Sequence, residues 1–197
     1  MTAFFTRLYR SAVKATWCWL ACLLLATGVR AASIEPGRAE LLSTEDGYSL
    51  SAVFRIDLGP RVEEAVVHGI PLYFNLELEV LRPRWYWMNE HVADHALTYR
   101  LSYHALTQEY RLATGGLVRR FSHLREALDA LSRITALPVF DKAEFKPGET
   151  YQGAIRLSLD RSKLPKPFQV DAIVNQDWQI DSKVLRWNFQ VQERDAK

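Results

Sequence analysis

Cysteine is almost absent from this chain, with only two among its 197 residues. Both of them, Cys18 and Cys22, lie in the apolar N-terminal segment, so the sequence after residue 31 contains none. That region cannot form a disulfide, an iron–sulfur cluster or a zinc–thiolate site, and it has no thiol nucleophile. The stability of its fold must therefore come from a hydrophobic core.

Sequence motifs of several common enzyme classes are also absent. The chain has no G-x-S-x-G motif of serine hydrolases, no phosphate-binding P-loop and no G-x-G-x-x-G nucleotide-binding motif. It has no internal repeat, low-complexity stretch or interdomain linker, which indicates a single domain. We predict a protein without catalytic residues and without a cofactor.

The N-terminal segment has the pattern of a secretory signal peptide. Arg7, Arg10 and Lys14 form a basic region, and the apolar run at 15–29 follows it. The small residues around position 30 predict cleavage after Ala31 and export to the periplasm. The alternative is an uncleaved signal that anchors the chain in the inner membrane, although the run is shorter than the roughly 20 apolar residues of a membrane span.

The net charge depends on whether this segment is removed. The whole chain has 25 Lys+Arg and 23 Asp+Glu, a formal charge of +2. Four of the basic residues and none of the acidic ones precede residue 32, so the processed chain has 21 basic and 23 acidic residues, a formal charge of −2. This balance does not indicate a nucleic-acid partner.

Apolar and polar residues alternate through most of the remaining sequence. The alternation is strong from Tyr48 to Leu58 and at 72–80. Shorter alternations occur at 99–103, 155–159, 168–174 and 185–191. A period of two indicates strands with one buried face, as in antiparallel sheets. We expect about eight to ten strands in a two-sheet antiparallel β-sandwich of immunoglobulin-like architecture at 32–192, followed by a disordered tail at 193–197.

Two segments have helical periodicity instead. An apolar i, i+3, i+4, i+7 pattern that begins at Leu124 predicts a helix near 123–134. A shorter helix is expected near 60–68, because Pro60 suits a first helical turn and Gly69 suits the position after the last turn.

The stretch RPRWYWMNEH at 82–91 is the main candidate for a binding site. Pro83 cannot donate to a strand ladder, so the preceding strand should bulge or reach a sheet edge there. Beyond it, Trp85 and Trp87 are either packed residues or a surface on which a ligand stacks. Burial of a large aromatic side chain contributes about 1.5–3 kcal/mol, so we expect packing. The candidate ligand- or partner-binding residues are Arg82, Arg84, Trp85, Tyr86, Trp87, Tyr103 and His104.

His91 and His95 form the most metal-like pair in the chain. With Asp94 between them they resemble the H-x-x-E-H pattern of inverted zinc proteases. That pattern requires a helix and a glutamate base, whereas this stretch lies between two strand patterns. We therefore expect a polar hairpin loop at 89–95 and no metal site, with a metal-dependent hydrolase as a remote alternative.

Three segments carry a family resemblance: GIPLYFNLELEVLRPRWYW at 69–87, YRLSYHALTQEYRL at 99–112 and LDRSKLPKPFQV at 159–170. They are similar to the hallmark segments of a bacterial secreted family catalogued as domain of unknown function 4390. The resemblance implies a signal peptide, export in a Gram-negative bacterium and no established activity. Members are often encoded beside a nitrogen-regulation-type sensor kinase, so the resemblance also implies an accessory role for such a kinase.

Together these observations predict an exported, non-catalytic binding or interaction module. Its expected partner is another protein of the cell envelope, with the sensor kinase as the candidate that the family resemblance supplies. The alternative function is a glycan or small-ligand binder that uses an aromatic platform at 85–87.

Overall fold

The computed structural model describes residues 32–86 and 88–191. The predicted signal peptide at 1–31, the predicted tail at 193–197 and Trp87 lie outside the described residues. Within the described part, nine strands form two antiparallel sheets. The predicted antiparallel two-sheet β-sandwich is therefore confirmed.

The smaller sheet has three strands in the order β1–β2–β7. They are β1 (Ser33–Ser43), β2 (Gly47–Asp57) and β7 (Arg133–Asp141). The alternation that starts at Tyr48 correctly predicts β2. The sequence does not predict β1, because a bulge between Pro36 and Arg38 interrupts its register and with it the period of two.

The larger sheet has six strands in the order β6–β5–β4–β3–β8–β9. They are β3 (Leu72–Arg82), β4 (Glu90–His104), β5 (Glu109–Thr114), β6 (Leu117–Phe121), β8 (Thr150–Leu159) and β9 (Leu185–Gln190). The long strands β3, β4 and β8 form its centre. Their alternating side chains present one apolar face to the core, which explains the strong period of two in the sequence.

The hydrophobic core takes side chains from both sheets. Leu50 and Phe54 of β2, Phe74 and Leu78 of β3, and Leu157 of β8 are all buried in one continuous cluster. Each sheet has one apolar face, and the two faces cover each other as in other β-sandwiches. This arrangement provides the rigid frame on which the connecting segments are held.

Three α-helices connect the strands: α1 (Gly59–Val67), α2 (Leu124–Ser132) and α3 (Lys166–Val174). The first two confirm the helices predicted near 60–68 and 123–134. The third corrects a prediction, because the alternation at 168–174 indicated a strand. None of the helices in the described part is long and apolar enough to cross a membrane.

Proline explains why α3 forms where a strand was expected. Pro167 occupies the first helical turn, where the missing N–H costs nothing and the fixed φ suits the helix. At the other end, the Asn175 N–H donates to the Asp171 carbonyl at 2.8 Å. Because Ala172 is the only fully buried residue of α3, the apolar residues that suggested a strand are largely left at the surface.

The polar hairpin loop predicted at 89–95 is also wrong. Strand β4 begins at Glu90, directly opposite Arg82 at the end of β3. The two strands extend this far because Val80 and Ala93 face each other in the core. The connection between β3 and β4 is therefore confined to residues 83–89.

Candidate functional site at a hairpin tip

The β3–β4 hairpin ends in a connecting segment, and its described residues, 83–86 and 88–89, are hereafter the tip. The last strand pair below it joins Arg82 to Glu90. Pro83 has no N–H to donate and follows immediately, which ends the ladder as the sequence predicts. The tip thus projects beyond the end of the six-stranded sheet.

Large apolar side chains of the tip are exposed to solvent. Trp85 is 94% exposed, Tyr86 66% and Met88 78%. The expected packing of Trp85 is therefore wrong, because the chain has already left the sheet and no second layer covers it. The corresponding prediction for Trp87 falls outside the described residues. The rings of Trp85 and Tyr86 contact each other edge to face, with centroids 5.0 Å apart and planes inclined by 72°.

Ion pairs fix the base of the tip. Arg82 Nε donates to Glu90 Oε2 at 2.6 Å, and Arg82 Nη1 donates to Glu149 Oε2 at 2.7 Å. Arg84 Nη2 donates to the same Glu90 oxygen at 2.6 Å. The sequence suggests both arginines as surface residues, but it does not reveal Glu149, which lies 67 residues from Arg82.

These contacts stabilise the charged forms of the groups involved. Hydrogen bonds from Arg82, and secondarily from Arg84, hold the pKa of Glu90 below its ordinary value. The hydrogen bond from Arg82 likewise lowers the pKa of Glu149. In return, Glu149 and Glu90 raise the pKa of Arg82. The base therefore stays ionised at neutral pH, and both arginines are oriented by carboxylates.

Tyr151 links this base to the aromatic core. Its hydroxyl donates to Glu149 Oε2 at 3.2 Å and accepts the Lys146 N–H at 2.9 Å. Its buried ring is stacked on Phe189 and lies edge-on to Phe145, at 5.8 and 5.2 Å between centroids. Burial raises the pKa of the Tyr151 hydroxyl. The base of the exposed tip is thus connected to the hydrophobic core through Glu149 and Tyr151.

Tyr103 and His104 do not join the tip. They end β4, which begins at Glu90 below the tip, so the strand separates them from it by roughly 45 Å at 3.3 Å per residue. Tyr103 lies 4.9 Å from Tyr110 between ring centroids. The sequence predicts a single surface, but the six candidate residues that the structure describes are divided between the two ends of the sheet.

The two histidines lie on opposite faces of β4. Val80 pairs with Ala93 and Leu81 pairs with His91, so a bulge separates His91 from His95 in the register. His91 is exposed and lies 3.5 Å from Asp94, between Nε2 and Oδ1. The His95 ring points inward, 6.4 Å from the Phe140 centroid. Within the described residues no group of three His, Cys, Asp or Glu side chains could hold a metal ion.

Comparison of the sequence with protein-family models identifies the family of this chain. A family model described as Domain of unknown function (DUF4390) matches residues 31–188. The chain belongs to the DUF4390 family. This confirms the family resemblance, and the match covers β1 through most of β9 in this DUF4390 protein. No curated protein and no solved structure matches the chain.

The tip of the DUF4390 protein combines exposed apolar side chains with paired arginines. Trp85, Tyr86 and Met88 offer apolar contact area, and the guanidinium groups of Arg82 and Arg84 are engaged by Glu90. Aromatic residues, methionine and arginine are the types enriched at protein–protein interfaces. Met88, Glu90 and Glu149 are the members of this site that sequence reasoning missed.

Proposed function

We propose that this DUF4390 protein is an exported, non-catalytic module that binds another protein of the cell envelope through its tip. The observation that carries the proposal is the exposure of Trp85, which at 94% is almost complete. Large exposed aromatics next to other apolar side chains mark interaction sites in soluble domains. Export is supported by the signal-peptide pattern of the N-terminal segment.

Energetics favour a partner for the tip. Burial of a Trp or Tyr side chain contributes about 1.5–3 kcal/mol relative to exposure, and the free chain forgoes this contribution at Trp85 and Tyr86. A few such residues usually dominate the binding free energy of an interface. Arg82 ties the base of the tip to Glu90 and Glu149, so these strand ends need no further ordering when a partner binds.

A protein fits the tip better than a flat sugar ring does. A glycan platform needs coplanar aromatics in a concave site, whereas the planes of Trp85 and Tyr86 are inclined by 72° at a projecting hairpin end. A protein partner can instead enclose a projecting tip in a pocket. By family analogy, the envelope sensor kinase is the first partner to test.

Site-specific photo-crosslinking tests the proposal. A photoreactive benzoylphenylalanine replaces Tyr86, so that Trp85 stays in place, and the exported protein is irradiated in cells that contain the kinase. The matched control carries the same probe at Leu106, an apolar side chain that is 92% exposed in the connection between β4 and β5. We expect the probe at position 86 to cross-link one protein, and the control probe at position 106 not to cross-link that protein.

A second variant makes the test specific. Adding Trp85→Ser to the tip probe should abolish the cross-link, because it removes the largest exposed side chain. Equal labelling from positions 86 and 106, or labelling that persists with Trp85→Ser, would contradict the proposal. Retention of the protein on peptidoglycan fragments that depends on Trp85, without any protein cross-link, would support the glycan binder instead.

A further inference from the structure

Helix α3 has an apolar face that the domain does not cover. Val170, Ile173 and Val174 are 65%, 81% and 80% exposed. Their spacing of three and four residues places them side by side on one face of the helix. Exposure of three neighbouring β-branched side chains to water is unfavourable. Such apolar patches mark surfaces that bind a membrane or another molecule.

The opposite face fixes the orientation of α3. Trp178 Nε1 donates to Asp171 Oδ2 at 2.8 Å, and Arg61 Nε of α1 lies 3.4 Å from the same oxygen. Phe168 packs edge-on against the buried Trp178, at 5.8 Å between ring centroids. The exposure of the apolar face is therefore built into the fold.

The charges around this face suit an anionic surface. Lys166 is exposed and lies four residues before Val170, hence on the same face. Within the described residues Lys166 forms no ion pair. By contrast, the acidic residues at 160–183 have partners. For example, Asp171 accepts a hydrogen bond from Trp178, and Asp181 forms an ion pair with Arg156 at 3.1 Å.

Strand β1 begins at the same end of the domain as α3. Its first residue, Ser33, pairs with Asp57, which lies two residues before the start of α1 at Gly59. Arg61 of α1 then contacts Asp171 of α3. In the sequence only Arg30 and Ala31 separate the apolar run at 15–29 from Ala32, which directly precedes β1.

The tip lies at the other end of the larger sheet. Strand β8 pairs Gln152 with Leu81 near the tip and Leu159 with Phe74 near its other end, and α3 follows β8. The α3 face is therefore a surface separate from the tip, and the inference below does not depend on the proposed function.

We propose that the exposed face of α3 lies in the headgroup region of an anionic phospholipid bilayer. Val170, Ile173 and Val174 contact the acyl chains there, and Lys166 contacts the phosphates. The nine residues of α3 are too few to span a bilayer, which requires roughly 20, so the helix lies along the surface as amphipathic interfacial helices do. The tip then points away from the bilayer.

Fluorescent labelling of the full chain tests this contact. Cys18→Ser and Cys22→Ser remove both native thiols, and Ile173→Cys, Thr98→Cys or Met88→Cys introduces one site for the environment-sensitive dye NBD. All three positions are exposed, so the substitutions do not disturb the core. Thr98 lies in the middle of β4, and Met88 lies in the tip. Each labelled protein is mixed with vesicles of phosphatidylethanolamine and phosphatidylglycerol.

We expect a blue shift and loss of iodide quenching at position 173 alone when vesicles are added. Val170→Asp together with Val174→Asp should abolish both changes, and Lys166→Glu should reduce them. Water-like emission at 173 with vesicles present would overturn the proposal, as would shielding at 88 in place of 173. Shielding at 173 that occurs without vesicles and rises with protein concentration would overturn it in favour of a second copy of the chain.

Discussion

Arg82 and Glu90 form the last strand pair of the β3–β4 hairpin, and their side chains also meet, with Arg82 Nε donating to Glu90 Oε2 at 2.6 Å. A backbone pair and a side-chain ion pair thus coincide at the point where the tip leaves the sheet. Arg84 donates to the same oxygen from within the tip at 2.6 Å. The exposed aromatic segment is therefore held by its flanking charges.

This relationship predicts an acid-sensitive contribution to stability. The folded-state pKa of Glu90 is lower than its ordinary value of 4.5, so the folded protein binds fewer protons than the unfolded chain near that pH. The contribution is fully present above pH 4.5 and is lost as the pH falls through the folded-state pKa. We expect the melting temperature of Glu90→Gln to lie below that of the wild type at pH 7 and to approach it on acidification to pH 3.

Thermal melts followed by circular dichroism across this range measure the difference. Asp160 and Asp171 also have lowered pKa values, but both proteins retain them, so their effect cancels in the comparison. A constant gap between the two melting curves from pH 7 to pH 3 would show that the ionised form of Glu90 does not stabilise the fold.

Exposure of Trp85 predicts a selective loss of iodide quenching. Trp85→Phe should remove a large share of the quenchable tryptophan fluorescence, because its ring is exposed. Since Trp85 is 94% exposed, the free energy of unfolding should change by less than about 0.5 kcal/mol. The matched variant Trp178→Phe should leave quenching unchanged and lower stability, because Trp178 is buried and donates to Asp171.

These two variants also test whether Trp85 is a packed residue or an exposed one. If Trp85→Phe destabilised the protein as much as Trp178→Phe and left iodide quenching unaltered, Trp85 would be a packed residue. The tip would then lose its apolar contact surface, and the proposed binding role would lose its main support.

The period of two predicted the sheets because one face of each central strand is buried. In β3, Leu72, Phe74, Leu76, Leu78 and Val80 are all buried, so the pattern in the sequence is the pattern of the core. The same rule failed at 168–174, where Pro167 in the first turn and side-chain contacts to Trp178 favour a helix. In this short segment the alternation of apolar and polar residues does not by itself distinguish a strand from a helix.

The tip could be located from the sequence but its exposure could not. Pro83 indicates the end of the strand, yet whether Trp85 is covered depends on what lies beyond the sheet end. Likewise, Glu149 reaches Arg82 only because β8 pairs with β3. Contacts between residues far apart in the chain follow from strand order, which a single sequence does not specify.

Gly153 lies so close to the Trp187 ring that a methyl group added at position 153 should strain the fold. The two residues pair across β8 and β9, and a Cβ on Gly153 would lie 2.5 Å from the Trp187 ring. At that distance the indole would have to rotate or the neighbouring strands would have to shift. We expect Gly153→Ala to lower the free energy of unfolding by about 1–3 kcal/mol, the usual cost of overpacking, as measured by urea denaturation.

A double-mutant cycle separates this clash from a general intolerance of alanine in β8. Trp187→Leu removes the ring, and since Trp187 Nε1 is buried without a hydrogen-bond partner in the described residues, it leaves no other polar group unpaired. In that background Gly153→Ala should cost much less, so that the two substitutions are strongly non-additive. Equal costs in both backgrounds would mean that the indole is not what excludes a side chain at position 153.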